Sequence, residues 1–195
     1  STIKPLYGFK EYRARVSPRF RFNDKIAIQY VLSLRNRYNE LGYIDDLIIT
    51  NQQNTQPIFS LRNTFMITNV FSGSYIINNK IDFSFKLRYH TDQVDNLNFN
   101  KLDNDGYLIQ TSVDGNNSSD FNINYSTWTS DVGLNWWFAP GSQLSLVWKN
   151  GVDNENNNIQ NSWFNNIEES FNLPQQNSVS LKVVYYLDYL YLKKG

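Results

Sequence analysis

Apolar and polar residues alternate with period two in seven stretches of the chain, the pattern of strands with one face turned away from water. The last stretch is the clearest. Val179, Leu181, Val183, Tyr185, Leu187, Tyr189 and Tyr191 form one unbroken stripe, with Ser178, Ser180, Lys182 and Asp188 among the residues opposite. Residues 12–22 set Tyr12, Ala14, Val16, Phe20 and Phe22 against Arg13, Arg15, Ser17, Arg19 and Arg21. Residues 26–37 set Ile26, Ile28, Tyr30, Leu32 and Leu34 against Gln29, Ser33, Arg35 and Arg37. Residues 81–90, 132–138 and 144–149 follow the same rule. Residues 65–77 are less regular, because Asn69 and Gly73 interrupt the face that carries Phe65, Ile67, Phe71 and Tyr75. Upstream of Asp131 the phase is broken between Tyr125 and Trp128, where a bulge is expected.

The connections alternate in length. Asn23-Asp24, Asn78-Asn79 and Ala139-Pro140-Gly141-Ser142 read as tight turns. Long polar connections are expected at about 39–56, 99–120 and 152–177. Short turns on one side and long loops on the other are the pattern of an antiparallel up-and-down transmembrane β-barrel, with turns on the periplasmic side and loops outside. The expected fold is therefore all-β, with residues 11–194 supplying seven or so strands and residues 1–10 an outer-side connection. The apolar stripe would face lipid and the charged stripe a wet lumen. A soluble lectin-like or lipocalin-like β domain would turn the stripe inward. Strands of about 9–13 residues, the length a tilted membrane strand needs, favour the barrel. Seven is an odd number, whereas single-chain bacterial barrels have an even one. These residues are accordingly expected to be the C-terminal part of a longer polypeptide whose N-terminal portion completes the barrel.

Composition narrows the chemistry. The 195 residues balance 18 basic against 18 acidic side chains, so the basic excess of a general nucleic-acid binder is missing. Without cysteine there is no disulfide, thiolate nucleophile or Cys-type zinc site, and His90 is the single histidine. Tyr, Phe and Trp make up 16% of the chain, and asparagine is abundant, as in β proteins with polar loops.

The stretches Gly133-Leu-Asn-Trp-Trp-Phe-Ala-Pro-Gly-Ser-Gln-Leu-Ser-Leu-Val-Trp-Lys149, Asn78-Asn-Lys-Ile-Asp-Phe-Ser-Phe-Lys-Leu-Arg-Tyr-His90 and Val183-Val-Tyr-Tyr-Leu-Asp-Tyr-Leu-Tyr-Leu-Lys193 resemble the C-terminal barrel region of a family of large surface proteins of Bacteroidota. Members typically carry an N-terminal domain resembling family-nine carbohydrate-binding modules, followed by a barrel domain of unknown function. The resemblance covers most of residues 11–194. It implies a bacterial outer-membrane location and an N-terminal portion outside these residues. It brings no catalytic residues and assigns no sugar binding to this region.

The strongest polar feature is a basic face: Arg13, Arg15, Arg19, Arg21, Arg35, Lys86, Arg88, Lys149 and Lys182, expected to line the lumen. Guanidinium groups in such a ladder can seat carboxylates or phosphates. The plainer reading is a structural network balanced by Asp82, Asp131 and Asp188 and by acids in the part of the polypeptide outside these residues. An interfacial aromatic girdle is expected from Phe22, Tyr75, Trp136, Phe138, Tyr189 and Tyr191, which lie near the tight turns. Asp103-Asn-Asp-Gly106 resembles a calcium loop, but Lys101 stands where a ligand is needed, so a turn is expected. His90 is expected to make a structural polar contact, and Glu168-Glu169 to sit in a solvated loop. Phe99, Tyr107, Trp163, Phe164 and Phe171 could stack on sugars, dock a partner or pin the loops together. No catalytic set, metal or cofactor is expected. The expected function is that of a non-enzymatic surface barrel, acting as pore, receptor or scaffold, with outer-membrane lipid, the N-terminal part of its own polypeptide and other outer-membrane proteins as partners. An outer-membrane enzyme with a rim site and a soluble carbohydrate-binding domain are the alternatives.

Overall fold

Residues 8–49, 55–159 and 163–187 are described in the structure, a computed structural model. The seven alternating stretches form one antiparallel meander. Its strands are β1 (Lys10–Val16) with β2 (Arg19–Arg21), β3 (Ile26–Ile48), β4 (Thr55–Asn78), β5 (Ile81–Asn96), β8 (Ile123–Ala139), β9 (Ser142–Asn156) and β10 (Gln176–Val184). They neighbour one another in the order β1-β3-β4-β5-β8-β9-β10. A small hairpin of β6 (Phe99–Leu102) and β7 (Leu108–Thr111) brings the sheet to 10 strands. The described residues also include one α-helix, α1 (Trp163–Phe171), and a 3-10 turn at Ser118–Phe121. β1 and β2 are one strand interrupted at Pro18, since Val16 opposite Leu32 and Arg19 opposite Gln29 keep the same register. The sheet is open: among the described residues β1–β2 pairs only with β3, and β10 only with β9.

The turn end is built by two asparagines acting alike. Asn23 Oδ1 accepts the N–H of Lys25 and of Ile26, each at 2.8 Å. Asn78 Oδ1 accepts those of Lys80 and Ile81 at 2.8 and 3.0 Å. Each side chain thus supplies the turn's own backbone donors with an acceptor, which is why asparagine suits these positions. The third turn uses Pro140 and Gly141, with Gly141 at φ +70°, a region glycine enters without steric cost.

The bulge expected upstream of Asp131 is not there. β8 runs without a break opposite β5 from Ile123 to Trp136, so Tyr125 and Trp128 simply occupy opposite faces. Beside the turns the register shifts at Ile76/Asn78 and Trp136/Ala139; within the long strands it shifts in β3, at Arg37/Glu40 and Tyr43/Asp45, with Asn39 at φ 54°. Each shift in β3 inserts an extra residue opposite β4 and inverts the side-chain alternation from that point. Residues 39–48, expected within a connection, are therefore strand: β3 and β4 reach 23 and 24 residues.

The segment between β5 and β8 folds back on the loop end. Ile49, Ile58, Phe99 and Val113 form a small core there, with Ile44, Leu47 and Phe121 against it. The segment between β9 and β10 places α1 over β8. Ser170 and Ser126 are hydrogen-bonded at 3.1 Å, and Phe171 lies 5.2 Å from Trp128, ring to ring. Glu168 and Glu169 thus belong to a helix.

Gly73 faces Phe85 across the β4–β5 ladder, and a methyl group there would lie 2.6 Å from the Phe85 ring and 3.2 Å from the Ala27 carbonyl oxygen. The ring covers the gap that glycine leaves, which explains the break in the stripe at residue 73. Gly73→Ala should cost about 1–2 kcal/mol by overpacking, read as a lower urea midpoint. Gly151→Ala, where the nearest atom is 3.9 Å away, should be close to neutral.

Candidate functional site

The register assigns every strand residue to one of two faces. On the first, Tyr75, Phe83, Leu134, Leu146 and Leu181 lie in one row across β4, β5, β8, β9 and β10. Gly73, Phe85, Val132, Trp148 and Val179 form the next. This face is apolar from edge to edge. On the second face, Ser72, Lys86, Asp131, Lys149 and Ser178 form a row, as do Arg35, Met66, Asp92 and Tyr125. All nine basic residues anticipated for the polar face fall on this second side.

They are not equivalent. At the loop end an alternating ion-pair network forms. Glu11 accepts from Arg13 Nε at 2.7 Å and from Arg35 Nε, and Arg37 Nε lies 3.5 Å away. Arg37 also binds Glu40 at 2.6 Å, and Glu40 lies 3.7 Å from Arg62. Gly42 makes room for Arg62, because a Cβ at that position would collide with its guanidinium. Glu11, Glu40, Arg62 and Asp92 were not singled out from the sequence. Glu11 could have been, as it continues the Arg13–Arg15 alternation by one step. Glu40 and Arg62 meet only through the β3–β4 register, beyond a bulge.

The hydrogen bond from Arg13 holds the Glu11 carboxyl below its ordinary value of 4.5, with the charges of Arg13 and Arg37 adding and burial opposing. Asp92 behaves the other way. Burial raises its carboxyl above 3.8, although His90, Arg37 and Arg62 pull it down.

Nearer the turns the cations are sparser in partners. Lys149 lies 3.9 Å from Asp131, an exposed pair of little energetic weight. Arg88 donates to Thr129 Oγ1 at 3.4 Å. Asp82 accepts from Asn135 at 3.2 Å, and Asp188 lies outside the described residues. Arg15, Arg19, Arg21 and Lys182 have no ion pair among the described residues. A groove of about 470 Å³ runs past Arg13, Arg15, Arg35 and Thr68.

The other candidates resolve into structural contacts. Asp103 Oδ1 accepts the N–H of Asp105 at 3.0 Å and of Tyr107 at 2.7 Å, closing the β6–β7 turn. His90 Nδ1 and Thr68 Oγ1 are 2.8 Å apart, as partners in register. Phe99 is buried against Phe121, Phe171 is half-exposed beside Trp128, and Tyr107 is exposed. Trp163 and Phe164 begin α1, and their side chains lie outside the described set. Of the aromatics near the turns, Phe22, Tyr75 and Trp136 are exposed on the apolar face. Trp136 and Phe138 are 5.6 Å apart, and Phe138 stacks on Tyr185 at 6.3 Å. Tyr189 and Tyr191 lie outside the described residues. Among the described residues, no three of His, Asp or Glu are grouped to hold a metal ion.

The two perturbed carboxyls give opposite expectations. Glu11, lowered on folding, stabilises the fold fully above its unfolded value, and this is lost as pH falls through its lower folded value. Glu11→Gln should lower the urea midpoint at pH 7 and flatten its fall below about pH 4.5. Asp92→Asn removes a charge that folding disfavours, so the midpoint at pH 7 should hold or rise. Loss of stability in both variants would show that burial is not what dominates at Asp92.

No curated protein and no solved structure matches the chain. A family model described as "Domain of unknown function (DUF5916)" matches residues 4–195, nearly the whole length. The chain belongs to that family.

Proposed function

We propose that this chain is the membrane-embedded part of an outer-membrane β-barrel that serves, without catalysis, as a pore, receptor or scaffold at the cell surface. One observation carries the reading. The apolar face spans the sheet from edge to edge, and over most of its height no second layer formed by the described residues covers it. Val179, Leu181 and Val183 are 67%, 63% and 57% exposed, and Tyr12, Phe20 and Phe22 at the other edge are 60%, 56% and 66% exposed. The buried hydrophobics of the described residues are Ile49, Ile58, Phe99 and Val113 in the loop-end core, and Tyr89 and Val152, which flank Trp128 in one row of the apolar face where α1 packs; none lies nearer the turns. A water-soluble sheet of this size would bury its stripe against a partner layer. Lipid is the solvent that tolerates such a face bare.

The aromatic residues beside the turns then sit at one membrane–water interface, and the tight turns lie on the periplasmic side. The long ends of β3 and β4, the β6–β7 hairpin and α1 stand on the outer side. The second face, with its ion-pair network and its row of lysines, lines the interior. Closure requires pairing of the two open edges, because lipid leaves no water for unpaired backbone groups.

Three measurements test this. The folded chain should need detergent to stay monodisperse. Val183→Arg should cost about 2–4 kcal/mol in a lipid-facing position while Lys182→Arg stays near neutral. Equal effects of the two changes, or a monodisperse chain in plain buffer, would remove the lipid-facing assignment. In intact cells a cysteine at Asn116 should react with an impermeant thiol reagent, and one at Asn79 only after the outer membrane is opened. The reverse pattern would invert the topology.

A further inference from the structure

The free edge of β1–β2 is fully able to take another strand, and its charges specify which kind. Tyr30 N–H donates to the Pro18 carbonyl and Phe22 N–H to the Ile26 carbonyl, each at 3.1 Å. Even-numbered residues of this strand therefore spend their backbone groups on β3. The odd-numbered ones, Glu11, Arg13, Arg15, Ser17, Arg19 and Arg21, aim their N–H and C=O groups away from it. Prolines commonly guard an exposed edge. Pro18 cannot do so here, because its missing donor faces β3. The strand keeps one register against β3 from Lys10 to Arg21, with no bulge to twist it away. The available edge is about 40 Å long.

The side chains of those odd residues all lie on the polar face. Arg13 is neutralised by Glu11. Arg15, Arg19 and Arg21 are not neutralised by any described residue, and their partners across the ladder, Ser33, Gln29 and Ala27, are uncharged. Carboxylates can reach them in register only from the free side.

We propose that this edge is the docking site for an antiparallel β-strand that carries Asp or Glu at alternate positions opposite Arg15, Arg19 and Arg21. That strand comes from polypeptide outside these 195 residues. A second copy of the chain does not fit. Its β10 edge would offer Ser178, Ser180 and Lys182 on this face, and its β1–β2 edge would set arginine against arginine. The undescribed stretches, 1–7, 50–54, 160–162 and 188–195, hold a single carboxylate side chain, Asp188. The ladder of arginines thus repels the wrong edges and selects the acidic one. The assignment does not require that the apolar face meets lipid.

The test places a photoreactive benzophenone amino acid at Ser17, between the arginines, in the natural full-length protein in its own cells. Mass spectrometry then identifies the cross-linked peptide. The expected product joins Ser17 to a segment outside residues 1–195 with acidic residues two apart. A cross-link to a segment of these 195 residues, to a strand without such acids, or no polypeptide adduct at all overturns the proposal. This outcome needs no variant that might misfold. As a second arm, reversing Arg15, Arg19 and Arg21 to Glu should lower the yield about tenfold, since each like-charge contact costs a few tenths of a kcal/mol or more. The same three changes to Lys should leave the yield within about twofold. Equal yields from the two sets would also overturn it. Detergent dependence and the response to Val183→Arg report separately on the membrane reading.

Discussion

Every feature of this molecule depends on the demand of each backbone N–H and C=O for a partner across the antiparallel ladder. That demand holds register from β3 to β10 with few slips. Register in turn fixes parity, and parity decides whether a side chain joins the apolar or the charged face. A slip of one residue would exchange the two faces along a whole strand. The sheet therefore behaves as a two-sided surface whose chemistry is set by counting. Among the described residues the same demand is unmet along the outer sides of β1–β2 and β10.

Much of this was legible from alternation alone. The seven strands of the meander and their three tight turns follow from period two and from Asn, Pro and Gly between the runs. The failures have a common physical origin. Residues 39–48 read as part of a connection because two bulges in β3 invert the phase, so no single stripe survives to be recognised. The β6–β7 hairpin and the loop-end core depend on Ile58 meeting Phe99, a contact between distant segments that no local period encodes. α1 was missed because its nine residues sit in a long Asn-rich stretch, too short a run for the helical period to stand out.

The polar face shows the same division. Its basic residues were identified by parity, and the register confirms that they share a side. Their electrostatic roles were not legible, because a counter-charge is chosen across strands. Glu11 serves three arginines at once, and Glu40 serves two from opposite sides of a bulge. The remaining acids gather elsewhere. Asp45, Asp46, Asp95, Asp114, Asp120 and Glu155 all lie toward the loop end, whereas Arg19, Arg21, Lys86, Lys149 and Lys182 lie toward the turns. Among the described residues acids thus outnumber bases toward the loop end, and bases outnumber acids toward the turns, where Asp24 and Asp82 are found.

The unequal heights of the strands have a mechanical meaning. β1 leaves β3 at Tyr38, and β5 leaves β4 at Arg62, while β3 and β4 continue together to Ile48 and Thr55. The pair they form stands about 25 Å above those two neighbours, held by β6 against β4 and by Val113 and Asp114 at the tip of β3. A load applied at its tip along the strand axis is carried to β1 and β5 in shear, through many hydrogen bonds acting together. A load applied sideways bends it at the two bulges in β3 instead. The tallest part of the molecule is therefore stiff in tension and compliant in flexion, like a mast with a joint at its foot.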